Sequence, residues 1–214
     1  MEPDMIVGLG SGRAVWAVIE AIGARWGGSS PVRVVVASEA TYAICHAAGI
    51  KVIQLVGEAE LDLAVDGADE VDSELRLLKG GGGALLREKI VASAASRFVV
   101  VAEEEKRVER LGERFRLPVE VVRFGWRDTR RRLAPSLPDA ERREVGDEAY
   151  QTDEGHYILD CEIPADADPE ALARHVNRVT GVVEHGLFLG MAERVLLGRA
   201  DGGVDVLEAP PPDR

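Results

Sequence analysis

The chain has 214 residues, and its 26 Lys and Arg stand against 38 Asp and Glu, which gives a formal net charge of −12 at pH 7. This length suits one large domain with a smaller appendage. The acidic balance argues against nucleic-acid and acidic-membrane partners, because such partners need a basic surface. The sequence also lacks a basic segment followed by an apolar run and any 18 consecutive apolar residues, so we expect a cytoplasmic protein.

The two cysteines, Cys45 and Cys161, lie far apart and show no CxxC or Cys/His ligand spacing. This spacing supports neither a disulfide framework nor a zinc site. We expect two reduced thiols.

The first half of the chain alternates between short apolar runs and amphipathic stretches. Apolar residues at helical spacing follow the first run from Ala14 to Ile22. The pattern predicts further helices at 39–48 and 84–95, and strands at 5–9, 32–36, 51–55, 61–65 and 98–101. Near-continuous Val and Ile runs between helices indicate a mostly parallel sheet covered on both faces, an α/β fold.

The pattern changes after Pro118. It predicts strands at 119–124 and 157–163 and helices at 127–133 and 169–179, which suits a smaller α+β subdomain. The Pro-rich, charged segment 134–146 is predicted to be a loop, and the tail 210–214 to be extended or disordered. We therefore predict a catalytic domain of residues 1–117 plus 191–214 and a lid or oligomerisation subdomain of residues 118–190.

Two carboxylates, Asp66 and Asp69, follow the strand 61–65 on either side of Gly67 and Ala68. In open α/β sheets, ligands bind at the carboxyl ends of the strands. Such a pair can accept hydrogen bonds from sugar hydroxyls or bind a divalent ion, but no His or third ligand has a suitable spacing for a metal. The structural alternative is an Asx turn with a helix cap.

Lys79 precedes four consecutive glycines, Gly80 to Gly83, and Glu88 follows five residues later in a predicted helix. Four glycines carry a high entropic cost unless the backbone approaches a ligand or adopts positive φ. Lys79 would place a cation near a developing oxyanion, and a shielded Glu88 would serve as a general base. The alternatives are a flexible loop, a solvated lysine and an exposed helix charge.

The segment from Gly8 to Gly12 places small residues between a strand and a helix. Backbone N–H groups and the helix dipole can bind a phosphate at such a turn. The motif alone is equally compatible with a turn that binds nothing.

Several blocks, which follow one another in order over nearly the whole chain, resemble the ribose-5-phosphate isomerase A family. They are Gly8 to Gly12, Ser38 to Thr41, Asp66 to Val71, Lys79 to Ile90, Pro118 to Val121, Thr152 to Asp160 and Gly181 to Phe188. The resemblance implies a Rossmann-like domain with a smaller α+β domain, a homodimer or homotetramer, and no metal or other cofactor.

The resemblance also implies a mechanism. Glu88 would shuttle a proton between C1 and C2 as ribose 5-phosphate and ribulose 5-phosphate interconvert through an enediolate, in the non-oxidative branch of the pentose phosphate pathway. Asp66 and Asp69 would hold the sugar oxygens, while Lys79 and the amides of Gly80 to Gly82 would stabilise the oxyanion. The implied substrate-binding residues are Ser11, Gly12, Arg13, Ala14, Gly67, Ala68, Gly80, Gly81, Gly82 and Lys106.

This chain departs from the family where phosphate would bind. The family's loop usually reads Gly-Thr-Gly-Ser-Thr, but here Arg13 and Ala14 stand in place of the Ser and the last Thr, and Glu103 to Glu105 precede Lys106. Arg13 either contacts the phosphate itself or fills the pocket. These departures keep two alternatives open, namely a non-catalytic sugar-phosphate sensor and an isomerase for another sugar phosphate or an unphosphorylated pentose.

Overall fold

A computed structural model describes residues 1–27, 30–57 and 60–209. The predicted extended tail, residues 210–214, lies outside this range. The helices are α1 (Arg13–Trp26), α2 (Glu39–Ala47), α3 (Leu85–Ser93), α4 (Trp126–Leu133) and α5 (Pro169–Val176). The strands are β1 (Ile6–Leu9), β2 (Arg33–Val36), β3 (Lys51–Val52), β4 (Leu63–Asp66), β5 (Glu70–Val71), β6 (Leu77–Leu78), β7 (Phe98–Glu103), β8 (Leu117–Val121), β9 (Glu141–Arg142), β10 (Glu144–Val145), β11 (Glu148–Ala149), β12 (Tyr157–Cys161), β13 (Val182–His185), β14 (Leu187–Phe188), β15 (Arg194–Gly198) and β16 (Val204–Glu208).

The chain divides into two compact units. The first unit comprises residues 1–68, 87–105 and those from 190 onward, and the second comprises residues 69–86 and 106–189. The sequence prediction placed 69–86 and 106–117 in the first domain, so its boundary at 117/118 differs from this division. The reason is long-range pairing, because β5 and β6 join β14 in a separate sheet, and Val108 and Leu111 pack into the core of the second unit.

A seven-stranded sheet forms the centre of the first unit, in the order β16-β15-β7-β4-β1-β2-β3. Every pairing is parallel except that of β15 with β16, which confirms the predicted mostly parallel α/β sheet. Val7 and Leu9 of β1 pack with the buried face of α1, whereas a Cβ built at Gly8 would lie 2.4 Å from Val91 Cγ1 of α3. Since successive residues of a strand face opposite sides, α1 and α3 cover opposite faces of the sheet.

An antiparallel sheet in the order β13-β8-β12-β9 forms the centre of the second unit. All five residues of β8 are buried, and side chains of α4 and α5 complete this core. The predicted α+β character of this part of the chain is confirmed. The predicted loop 134–146 was wrong in detail, because it contains β9 and β10. Strands of two residues are too short to show a periodic pattern.

Both cysteines are free thiols, and both are completely buried. Burial raises the pKa of Cys45 to about 11 and that of Cys161 to about 12. Within the described ranges, no helix combines the length and the apolar character needed to cross a bilayer.

Candidate active site

The residues that the sequence singles out fall in both units. The first unit holds Ser11, Gly12, Arg13, Ala14, Asp66, Gly67, Ala68 and Glu88. The second unit holds Asp69, Lys79, Gly80, Gly81, Gly82 and Lys106.

Asp66 ends β4 and is only 2% exposed. Its Oδ1 accepts hydrogen bonds from the backbone N–H of Ser11 at 3.1 Å and from that of Gly67 at 2.7 Å. Strands β1 and β4 are parallel neighbours, so their carboxyl ends meet at one edge of the sheet. The structure therefore brings Asp66 together with the turn between β1 and α1 at the carboxyl ends of two parallel strands, where ligands bind in open α/β sheets.

Two positions in this turn require glycine for different reasons. A Cβ built at Gly10 would lie 1.8 Å from Asp66 Cγ, so this glycine leaves room for the carboxylate. Gly12 has φ 94°, and a Cβ there would meet nothing within 4 Å among the described residues. Gly12 is the N-cap of α1, and the first amides of a helix have no intrahelical acceptor, so this backbone can still receive an anion.

Ser11 is held by a chain of hydroxyl groups. Thr41 Oγ1 donates to the Gly10 carbonyl at 2.9 Å, and Ser38 Oγ donates to Thr41 Oγ1 at 3.0 Å. Ser11 Oγ lies 3.0 Å from Ser38 Oγ, which makes Ser11 the donor in that contact. With its N–H on Asp66 and its O–H on Ser38, Ser11 supports the turn in this structure. The amides that begin α1 are the donors of this turn that have no acceptor within the helix.

Arg13 extends away from the turn. Its side chain is 83% exposed, and its Nη2 lies 3.6 Å from Glu103 Oε1. In this position the guanidinium is open to solvent, and both interpretations of Arg13 remain predictions. An exposed ion pair of this length holds the guanidinium only weakly.

Glu88 lies in the first turn of α3 and is 6% exposed. The alternative of a solvated helix charge is therefore wrong. The side chain of the neighbouring Arg87 donates a hydrogen bond to Glu39 Oε1 at 2.9 Å.

Lys79, in the second unit, is 3% exposed and is not a solvated loop lysine. Its backbone N–H donates to the Gly186 carbonyl at 2.8 Å, and its Nζ lies 5.4 Å from the centroid of the Phe188 ring. Lys106 is half-buried, and its Nζ lies 4.4 Å from the centroid of the Phe115 ring.

The glycine loop, residues 80–83, has a fixed shape. Gly80 and Gly83 have φ values of 101° and 87°, where a side chain would be strained. The N–H of Gly81 donates to Asp69 Oδ2 at 2.7 Å, and the N–H of Gly83 donates to the Gly80 carbonyl at 2.9 Å. The structure thus brings Asp69 onto the loop, and the alternative of an unstructured flexible loop is wrong.

Two residues that sequence reasoning missed also contact this loop. Arg143 Nη1 donates to the carbonyls of Gly80 and Gly81, both at 3.0 Å, and Tyr150 Oη donates to that of Gly82 at 3.2 Å. Their partners are main-chain atoms more than 60 residues away, so no spacing in the sequence connects them.

Two acidic residues that follow Asp69 have structural partners. Glu70 is fully buried and accepts hydrogen bonds from the N–H groups of Gly112 at 2.5 Å, Arg114 at 2.6 Å and Phe115 at 2.9 Å. Asp72 accepts from Arg76 Nε at 2.6 Å.

Within residues 1–27, 30–57 and 60–209, no three His, Cys, Asp or Glu side chains form a group suited to a metal ion.

Residues 33–202 match the family model described as ribose 5-phosphate isomerase A (phosphoriboisomerase A). The chain belongs to the ribose-5-phosphate isomerase A family. The ribose-5-phosphate isomerase A of Roseiflexus sp. (strain RS-1) is 48% identical over 217 residues, which cover 98% of this chain and 91% of the relative.

Solved structures of this family share the fold. The ribose 5-phosphate isomerase from Plasmodium falciparum has a TM-score of 0.91 at 32% identity, covering 97% of this chain and 92% of that one. A D-ribose-5-phosphate isomerase in complex with phospho-erythronic acid has a TM-score of 0.90 at 33% identity, with the same coverage of 97% and 92%. The family that the sequence motifs indicated is thereby confirmed.

Proposed function

We propose that this protein is an isomerase that interconverts ribose 5-phosphate and ribulose 5-phosphate. The observation that carries the proposal is the 48% identity to a ribose-5-phosphate isomerase A over 98% of this chain. The reaction is an internal redox change. A base removes the C2 proton, the freed electron pair forms the C1=C2 bond of an enediolate, and the C1=O π pair moves to O1. The hydroxyl proton of O2 passes to O1, the O2 electrons form the C2 carbonyl, and the C1=C2 pair takes a proton at C1. One base and donors for an oxyanion supply this chemistry.

Glu88 is the proposed base that moves the proton between C2 and C1. Its position supports the role, because it is buried in the first turn of α3 and is therefore shielded from water. A carboxylate that is shielded from water accepts a carbon-bound proton more readily than a fully hydrated one.

Lys79 and the glycine loop are the proposed oxyanion donors, and Asp66 and Asp69 are proposed to hold the sugar hydroxyls. Lys79 is only 3% exposed, and this burial supports its role. The attraction between a cation and an oxyanion becomes stronger where water is excluded. One oxygen of Asp69 accepts a hydrogen bond from the N–H of Gly81, and its second oxygen is proposed to bind the substrate.

The phosphate is proposed to bind at the amides that begin α1, next to Gly12, with Gly67, Ala68 and Lys106 completing the substrate contacts. Arg13 and Ala14 replace two hydroxyl donors of the family's loop. We propose that Arg13 leaves Glu103 and contacts the phosphate, because a guanidinium pairs more strongly with a phosphate than with a solvated carboxylate.

We further propose that the enzyme acts in the cytoplasm, in the non-oxidative pentose phosphate pathway, as a homodimer or homotetramer. The two free, buried thiols support a reducing compartment. Size-exclusion chromatography with light scattering tests the assembly, and a monomer at micromolar concentration would contradict it.

Ketose formation from ribose 5-phosphate, measured without added metal, tests the function. Wild type should turn over, and Glu88→Gln should lose more than about 1000-fold in kcat. Glu20→Gln is a matched control, since Glu20 is an exposed carboxylate on α1 of the same unit. A Glu88→Gln protein with a wild-type circular dichroism spectrum and normal turnover would contradict the assignment of the base.

The altered phosphate loop favours a second candidate, in which the enzyme accepts another sugar phosphate or an unphosphorylated pentose. Parallel assays with arabinose 5-phosphate and free ribose separate the two. If kcat/KM is higher for either compound than for ribose 5-phosphate, that compound is the preferred substrate. Binding of ribose 5-phosphate without turnover of any sugar would favour a sensor.

A further inference from the structure

We propose that Arg143, assisted by Tyr150, is a positioning residue that orients the Gly82 amide of the glycine loop as an oxyanion donor. The inference rests on the proposed isomerase function, and it assigns a role to two residues outside the implied catalytic set. The contacts of Arg143 carry it.

Arg143 connects the glycine loop to a fixed anchor. Its Nη1 donates to the carbonyls of Gly80 and Gly81 at 3.0 Å each. Its Nε and Nη2 bind the two oxygens of Asp160 at 2.9 Å and 2.6 Å, and its side chain is only 15% exposed. A planar guanidinium can make both contacts at once, whereas the ammonium of a lysine cannot.

The backbone of the second unit places Arg143 and Tyr150 side by side. The N–H of Arg143 donates to the Ile158 carbonyl at 2.8 Å, which continues the pairing of β9 with β12. The N–H of Tyr150 donates to the Arg143 carbonyl at 3.0 Å. The guanidinium lies 5.7 Å from the centroid of the Tyr150 ring, whose hydroxyl binds the Gly82 carbonyl. Three consecutive loop carbonyls are thus held by two neighbouring side chains.

Holding a carbonyl also fixes the amide that follows it. The carbonyl of one residue and the N–H of the next lie in one rigid plane and point in opposite directions. The bond from Arg143 to the Gly81 carbonyl therefore orients the N–H of Gly82. The amides of Gly81 and Gly83 already donate to Asp69 and Gly80.

The Gly82 amide differs from its neighbours. Gly82 is exposed, a Cβ built on it would meet nothing within 4 Å, and no acceptor for its N–H occurs among residues 60–209. It is an accessible donor of fixed direction. The positive guanidinium on the carbonyl side also polarises the peptide, which strengthens the N–H as a donor.

Steady-state kinetics of Arg143→Lys and Tyr150→Phe test the inference. Loss of an oriented oxyanion donor typically costs about 100- to 1000-fold in kcat. Because Arg143→Lys misorients the donor without removing it, we expect kcat to fall about 10- to 100-fold, with KM for ribose 5-phosphate changed less than about threefold. Tyr150→Phe keeps the ring and removes one contact, so we expect a loss of about three- to tenfold. Arg116→Lys is the matched control, because Arg116 pairs with Glu141 at 2.9 Å and Glu162 at 3.0 Å within the same unit.

Ligand binding separates positioning from a general structural effect. The carboxylate of phospho-erythronic acid carries negative charge where an enediolate would, whereas inorganic phosphate probes the phosphate site alone. Arg143→Lys should raise the Kd of phospho-erythronic acid about 10-fold or more and leave the Kd of phosphate unchanged. Equal weakening of both ligands, or kinetics equal to those of Arg116→Lys, would overturn the inference while wild-type turnover upholds the proposed function. A wild type that neither turns over ribose 5-phosphate nor binds phospho-erythronic acid would overturn both.

Discussion

The carboxylate of Asp66 occupies the space that a side chain at Gly10 would need. A Cβ at Gly10 would lie 1.8 Å from Asp66 Cγ and 1.9 Å from its Oδ1, the oxygen that binds the amides of Ser11 and Gly67. The glycine between β1 and α1 is therefore tied to the carboxylate at the end of β4.

Gly10→Ala should displace the Asp66 carboxylate and break its two amide contacts. We expect a loss of about 1–3 kcal/mol in the free energy of unfolding, typical of overpacking, and a fall in kcat of about 10-fold or more. Gly23→Ala is the control, since a Cβ at Gly23, inside α1, would meet nothing within 4 Å of the described chain. Alanine there should stabilise the helix by about 0.5–1 kcal/mol. Urea unfolding and kinetics check both variants, and equal behaviour would disprove the steric argument.

Arg13→Ser should weaken phosphate binding. Arg13 is exposed, and its ion pair with Glu103 is long at 3.6 Å, so it can turn to a phosphate at low cost. We expect the KM for ribose 5-phosphate to rise about tenfold, the equivalent of about 1.4 kcal/mol, with kcat nearly unchanged. Glu103→Gln should lower KM by releasing Arg13. A lower KM in Arg13→Ser would support the obstructing interpretation.

Glu70→Gln should destabilise the fold. Its buried carboxylate accepts three amides, and the NH2 group of glutamine would oppose at least one of these N–H donors. We expect a loss of about 2–3 kcal/mol in the free energy of unfolding, as for buried hydrogen bonds to charged groups. Glu109→Gln, an exposed carboxylate of the same unit, should stay within about 0.5 kcal/mol of wild type. If urea unfolding gives the two variants equal values, Glu70 has no structural role.

The thiols should be unreactive in the folded protein. Burial raises the pKa from 9.0 to about 11 in Cys45 and to about 12 in Cys161. The folded state therefore binds these protons more tightly than the unfolded state, so their contribution to stability is complete below about pH 9 and declines as the pH rises toward 11 and 12. Ellman's reagent at pH 8 should label no thiol in the native chain and both in urea. Rapid native labelling, traced with Cys45→Ser and Cys161→Ser, would contradict this.

Local patterns predicted much of the fold. Helices α2 to α5 begin and end within three residues of the predicted limits, because apolar spacing and caps such as Asp168 are local signals. The strands around 134–149 could not be predicted, since each has two residues.

The site residues also divide into those that local sequence patterns reveal and those that they do not. The motif residues Asp66, Lys79 and Glu88 stand out in the sequence, and their burial sets them apart from solvated charges. Arg143 and Tyr150 could not be found in the same way, because they bind carbonyl oxygens, which every residue carries.

The hydrogen bonds of Glu70 affect which positions can vary among related chains. Within the part of the chain that the structure describes, its carboxylate binds the main-chain N–H groups of residues 112, 114 and 115 and no side chain, so this contact places no demand on the side chains of Arg114 and Phe115. Gly112 is constrained separately, by its φ of 86° and by Ile163 Cβ, which would lie 2.8 Å from an added Cβ. As far as this contact is concerned, related chains can differ at 114 and 115 while the segment keeps its path, so sequence variability there would not indicate a loose backbone. The Phe115 ring has a separate contact, because its centroid lies 4.4 Å from Lys106 Nζ.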